Sequence, residues 1–298
     1  MDPVTHSLIG TTIYNLGFKR RLAFWVLLLA SIAPDFDYVT RIWGLDVFLR
    51  YHRGITHGIA ALFAMPVAIG LIFGLKKGFI YYTSISFLAY GVHLFADLTN
   101  QYGIRILSPL DWEQYSLDLI FILDPYITLG LLLSVALCKI NKKKAASIAI
   151  ITSALLVFYM GGRYYLQGKT GDFVKERIDA SIYRIYPLPN DFLRWWFIAK
   201  SGSEIKAGFA DLFTQRICVQ ETYSIKENDP FIKRSKETRV VRNFLYFSRF
   251  PHAEIKREGD KPVVTWRELS YSFLAGDHFV AKVIFDDEGR VINSYFKF

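Results

Sequence analysis

The chain has 298 residues, 52% hydrophobic and 16% aromatic, with only 21% charged and a formal net charge of +9. Such an apolar content excludes a disordered chain, and two cysteines, Cys138 and Cys218, exclude a disulfide framework or a Cys-based zinc site. Charge is unevenly spread: residues 1–166 hold 14 Lys/Arg and 9 Asp/Glu, and residues 167–298 hold 22 and 18.

The front half therefore reads as membrane-like and the back half as a soluble domain. A helical segment over Pro3–Leu16 comes first, and no cleavable signal is evident. Charge-free runs then follow at Leu22–Pro34, Gly54–Leu75, Gly78–Ala96, Pro125–Cys138 and Ala145–Gly162, which predicts about five hydrophobic spans. Gln167–Asp172 reads as a linker and Asp172–Tyr186 as a short helix ended by Pro187-Leu188-Pro189-Asn190. Beyond it lie aromatic and β-branched runs at Trp195–Ala199, Ile217–Ile225, Val240–Phe250, Val263–Leu274, Phe279–Phe285 and Val291–Phe298. The expected fold class is α+β, a multi-pass transmembrane helical bundle followed by a small antiparallel β domain. Its expected divisions are 1–166 for the bundle, 167–190 for linker and helix, and 191–298 for the β-rich domain.

Basic clusters at Lys19-Arg20-Arg21, Lys76-Lys77 and Lys139 to Lys144 fall on one side if the helices alternate. The positive-inside rule makes that side cytoplasmic, which puts the β domain outside, on a bacterial inner membrane. These clusters are short loops between spans, which argues against nucleic-acid binding. The other ends of the spans carry His6, Asp35, His57, His93 and Asp124. At 1.5 Å per residue each lies about 20–28 Å from the nearest basic cluster. Five separate segments thus bring a His or Asp to one level near the outer boundary of the bilayer.

The polar residues at that level form compact groups: Asp35-Phe36-Asp37, His52-Arg53-Gly54-Ile55-Thr56-His57, and His93 with Asp97 on one helical face. Carboxylates crowded there repel one another and lose hydration, and a divalent ion with neutral imidazoles offsets both penalties. His6, Asp35, Asp37, His52, His57, His93 and Asp97 are the candidate ligands, enough for one or two ions. Ligation by His and Asp without Cys suits zinc first, with manganese or iron as alternatives. Asp37, Asp118 and Asp124 are candidate general bases, although Asp124 before Pro125 also suits a helix terminus. Arg53 either holds an anionic substrate or anchors at the interface. His6 taken alone also suits a packed residue.

In order and spacing these pieces resemble the bacterial membrane-bound metal-dependent hydrolases of the YdjM type. The resemblance rests on Asp2-Pro3-Val4-Thr5-His6, Ala33-Pro34-Asp35-Phe36-Asp37, His52 to His57, His93-Leu94-Phe95-Ala96-Asp97, Thr99 to Gly103, and Asp118 to Pro125, and it covers about residues 1–165. It implies a metal-dependent hydrolase and fixes no substrate. The depth of the site points to a lipid or lipid-linked ester or phosphoester, with membrane lipids as partners. The alternative is a non-enzymatic metal-binding membrane protein or an ion transporter with the same residues in a structural site.

Overall fold

A computed structural model describes residues 1–225 and 228–298. The chain divides into two compact units. The first comprises Met1–Asp37, Arg53–Gln167 and Pro187–Phe192, and the second Tyr38–His52, Gly168–Tyr186 and Leu193–Phe298.

The first unit is helical. It contains α1 (Pro3–Asn15), α2 (Ala23–Ile32), α4 (Ile59–Gly74), α5 (Phe79–Leu98), α6 (Pro125–Ile140) and most of α7 (Ala145–Lys175). Two starts follow the same local chemistry. Asp2 caps α1 and Asp124 caps α6, each carboxylate accepting two backbone N–H bonds, with Pro3 and Pro125 at the first helical position. Small residues set the helix spacing. A Cβ on Gly10 would lie 2.2 Å from Ser31 Oγ, and one on Gly70 would lie 1.9 Å from Thr83 Oγ1, so α1 meets α2 and α4 meets α5 at backbone distance. Val26, Leu27, Ala30, Ala89, Tyr90 and Leu131 form the fully buried core between these helices.

The outer surface is apolar. Ile72, Ile80 and Phe158 are 74%, 78% and 80% exposed. A patch of this kind fits hydrocarbon and not water. Among the described residues, Ala23–Trp43, Phe79–Leu98 and Lys142–Lys175 are long and apolar enough to cross a membrane. Leu45–His57 with Ile59–Gly74 adds a fourth if taken as one broken span. The span expected at Pro125–Cys138 is the helix Pro125–Ile140, which has 16 residues and falls short on its own.

The second unit is β-rich, with α3 (Leu45–Tyr51), α8 (Pro230–Ser235), α9 (Arg239–Phe247) and two antiparallel sheets of sequential strands. One sheet holds β1 (Ile182–Pro187), β2 (Arg194–Ser201), β3 (Glu204–Asp211) and β4 (Arg216–Ser224). The other holds β5 (Pro251–Glu258), β6 (Lys261–Glu268), β7 (Val280–Phe285) and β8 (Val291–Lys297). Trp195–Ala199 is buried along its whole run, which explains an unbroken apolar strand in β2. Buried Glu268 is satisfied by the Arg249, Phe250 and Ser270 backbone N–H groups and the Ser248 hydroxyl. Asp46 of α3 pairs with Arg239 at 3.0 Å and accepts from Asn243 at 2.8 Å, tying α3 to α9.

Three expectations are corrected here. Gln167–Asp172 is not a linker, because α7 runs on to Lys175 through Gly168 and Gly171. Asp172–Tyr186 is not one helix, because its end is β1. Val240–Phe250 is mostly α9: its buried residues Val240, Val241, Phe244 and Phe247 repeat at helical spacing, and Thr238 caps the start by accepting from the Val241 N–H.

Candidate metal centre

Three short stretches of the helical unit converge on one point. After α2 the backbone tightens into a 3₁₀ helix over Ala33–Trp43, which turns Asp35 and Asp37 inward while Phe36 between them is 52% exposed. Another 3₁₀ turn, Ile55–His57, delivers His57 just before α4. On α5, the four-residue spacing puts His93 and Asp97 on one buried face. Gly58 is needed between His57 and α4, because a Cβ there would lie 2.0 Å from Ser108 Oγ.

Asp35, His57, His93 and Asp97 each offer one ligand atom, and these atoms all lie within 4.8 Å of one another. His57 Nε2 is 3.2 Å from His93 Nε2 and 3.2 Å from Asp97 Oδ2. Asp35 Oδ1 is 3.7 Å from His57 Nε2 and 3.9 Å from His93 Nε2.

The far sides of the two rings decide where their protons are. His93 Nδ1 lies 2.7 Å from the Ser31 carbonyl, which can only accept, so Nδ1 carries the proton. His57 Nδ1 lies 3.1 Å from Thr56 Oγ1, whose own proton goes to Asp37 Oδ2 at 2.9 Å. Asp37 Oδ2 is also 3.5 Å from His57 Nδ1, so that nitrogen is the donor as well. Both Nε2 lone pairs therefore point inward, an arrangement of the kind that orients metal-binding histidines.

The carboxylates agree. Asp97 spends Oδ1 on Arg53 Nη2 at 2.9 Å, on His6 Nε2 at 3.3 Å and on the Met1 amino group. Its buried Oδ2 accepts no hydrogen bond, and neither oxygen of Asp35 does. With both imidazoles neutral, these four groups would turn lone pairs toward one another, at a cost that a cation removes. Two imidazole nitrogens and two carboxylate oxygens match the ligand count and chemistry of one divalent ion.

The other expected residues have contacts of their own. His6 stacks on His93, with ring centroids 3.6 Å apart. Asp37 accepts the Arg53 backbone N–H at 2.8 Å and the Thr56 hydroxyl, fixing the turn that carries His57. Arg53 is not an interface anchor: it is 2% exposed, donates to Asp97, Met1 and Tyr102, and holds φ of 60°. His52 lies in the second unit, stacked on Phe48 at 4.5 Å and edge-on to Tyr38. Asp118 and Asp124 are engaged locally. Asp118 accepts from Ser116 Oγ at 2.7 Å, and Asp124 caps α6 and accepts from Tyr159 Oη at 2.7 Å, so the terminus reading holds for Asp124. The Ser31 carbonyl and the Thr56 hydroxyl were not anticipated as supports for the rings.

Residues 1–169 match the YdjM inner membrane protein family, and residues 230–298 match the YfhP C-terminal alpha/beta plait domain. The uncharacterized protein YfhP of Bacillus subtilis (strain 168) is 26% identical over 316 residues, spanning 99% of this chain and 94% of that protein. No solved structure matches. The family match covers more than half of the chain, and the apolar helices suit a membrane: the chain belongs to the YdjM inner membrane protein family.

Proposed function

We propose that the chain is a metal-dependent hydrolase of the inner membrane, acting on an ester or phosphoester carried by a lipid. The observation that supports it most is the meeting of four buried ligand atoms, from Asp35, His57, His93 and Asp97, within 4.8 Å of one another. This donor set suits zinc first, with manganese or iron as alternatives. A bound divalent ion would supply Lewis-acid polarisation of the ester oxygen and acidify a nearby water. His57 and His93 present their Nε2 atoms, Arg53 offsets the charge of Asp97, and Asp37, the adjoining carboxylate, accepts the proton from water. Phe36 and Ile55, 52% and 50% exposed beside buried Asp35, Asp37 and His57, support a substrate that arrives from the lipid.

Asp37→Asn keeps an acceptor for the Arg53 N–H and the Thr56 hydroxyl but cannot take up a proton. Zinc content should stay unchanged while hydrolysis of a panel of phosphoester and carboxyl-ester lipids falls by roughly 10²–10⁴-fold, with loss of the acidic limb of the pH–rate profile. Full turnover in this variant would remove Asp37 from the reaction. Complete burial of His57, His93 and Asp97 favours a second reading, a closed structural ion site. Zinc-loaded protein inert toward the whole panel would decide for it.

The Lys/Arg clusters at 19–21, 76–77 and 139–144 support a cytoplasmic side, with the β-rich unit outside. Protease added to spheroplasts should then digest the β-rich unit. Protection there, with digestion after lysis, would reverse the orientation.

A further inference from the structure

The helical unit also carries an apolar cavity of about 370 Å³, open on one side, among α1, α5, α6 and α7. Ile9, Ile13, Val92, Leu131, Leu156 and Met160 form much of its wall. Water does not suit this cavity, because a buried water needs two to four polar partners. The cavity offers the hydroxyls of Thr12, Thr99 and Ser153, and the last two already donate to the Ala96 and Ala149 carbonyls of their own helices. An apolar occupant fits.

Its shape and place narrow that occupant. Lining residues on α5 run from Leu88 to Thr99, about 16 Å of helix, which matches an extended alkyl chain of roughly twelve carbons. Phe95 and Val157, 59% and 73% exposed, join the cavity to the apolar outer surface of the unit. Met1 and Ala96 join it to the metal centre. Ala96 precedes Asp97, the Met1 amino group contacts Asp97 Oδ1, and the Met1 carbonyl accepts from Arg53 at 3.3 Å. One end of an elongated apolar space thus lies a single residue from the cluster.

We propose that this cavity binds the acyl or alkyl chain of a lipid whose polar ester sits at the His/Asp cluster. The placement of the ester rests on the hydrolytic reading above, whereas chain binding is tested without turnover. Occupancy should grow with chain length up to the filled length, with no gain beyond it.

The test uses the full chain, zinc-loaded in lipid nanodiscs, and photoreactive diazirine alkyl phosphates of four to sixteen carbons. The expected result is labelling of the peptides carrying Ile13, Leu131 and Leu156, competed by unlabelled dodecyl phosphate and rising with chain length to a plateau. Val92→Trp and Leu131→Trp, on different helices, should each cut that labelling at least tenfold while zinc content is retained. If both variants lose zinc, the labelling map of the unaltered chain decides alone. Uncompeted labelling confined to outward residues such as Leu155 and Phe158 would overturn the proposal, as would unchanged labelling in zinc-retaining variants. Competed cavity labelling in a chain that holds no zinc would leave the chain site standing and remove the hydrolytic reading.

Discussion

Asp97→Ala should abolish metal binding and destabilise the helical unit by about 3–5 kcal/mol, because it leaves buried Arg53 without its carboxylate partner. Two losses coincide at this residue, since Oδ1 balances Arg53 and Oδ2 faces the other ligands. Asp97→Asn separates them. The amide oxygen still accepts from Arg53, so most of the fold's stability should survive, while the neutral side chain should weaken metal affinity by more than ~100-fold. Elemental analysis and denaturant melts of the two variants check this directly. An Asn variant with full metal content would show that Asp97 serves Arg53 alone.

Chelation should have the second large effect. With the ion removed, the four ligand atoms repel one another inside a dry site. Reloading to a free concentration near 100 times Kd should restore about 2.7 kcal/mol, a rise of roughly 5–10 °C in Tm for a unit of this size. Zinc, manganese and iron compared in one titration would rank the ions. A melting temperature indifferent to chelator and to every ion added would mean that the cluster holds no metal.

Much of this centre was legible in the sequence, for a physical reason. His and Asp inside apolar segments are expensive, so Asp35, His57, His93 and Asp97 stand out before any coordinates exist. The four-residue spacing of His93 and Asp97 already fixed their common face. Asp118 and Asp124 stood out for the same reason, but a carboxylate that caps a helix has the same letter as one that accepts a proton. The supports for the rings were hidden: the Ser31 carbonyl belongs to a main chain that every residue has, and only the approach of α2 to α5 selects it. The cavity was equally unreadable, because it is a gap among ordinary apolar side chains.

Chain architecture shows the same division. The long apolar runs marked the helices. The continuation of α7 through Gly168 and Gly171 went against local breaker signals, which cost a long helix only about 1 kcal/mol each. In α9, the run Val240–Phe250 looked extended by composition, yet its buried positions follow a helical period set by what α9 packs upon.

The order of the ligands along the chain has a consequence for biogenesis. Asp35 and His57 are synthesised early, whereas His93 and Asp97 come at the end of α5. A nascent chain that has inserted only through α4 carries half a cage, with two anionic or basic groups exposed to the bilayer and nothing to bind an ion tightly. Capture of an ion by all four groups would therefore wait for α5. Until then the close backbone contact of α1 on α2 at Gly10 guides assembly, and α4 docks on α5 at Gly70 once α5 has followed.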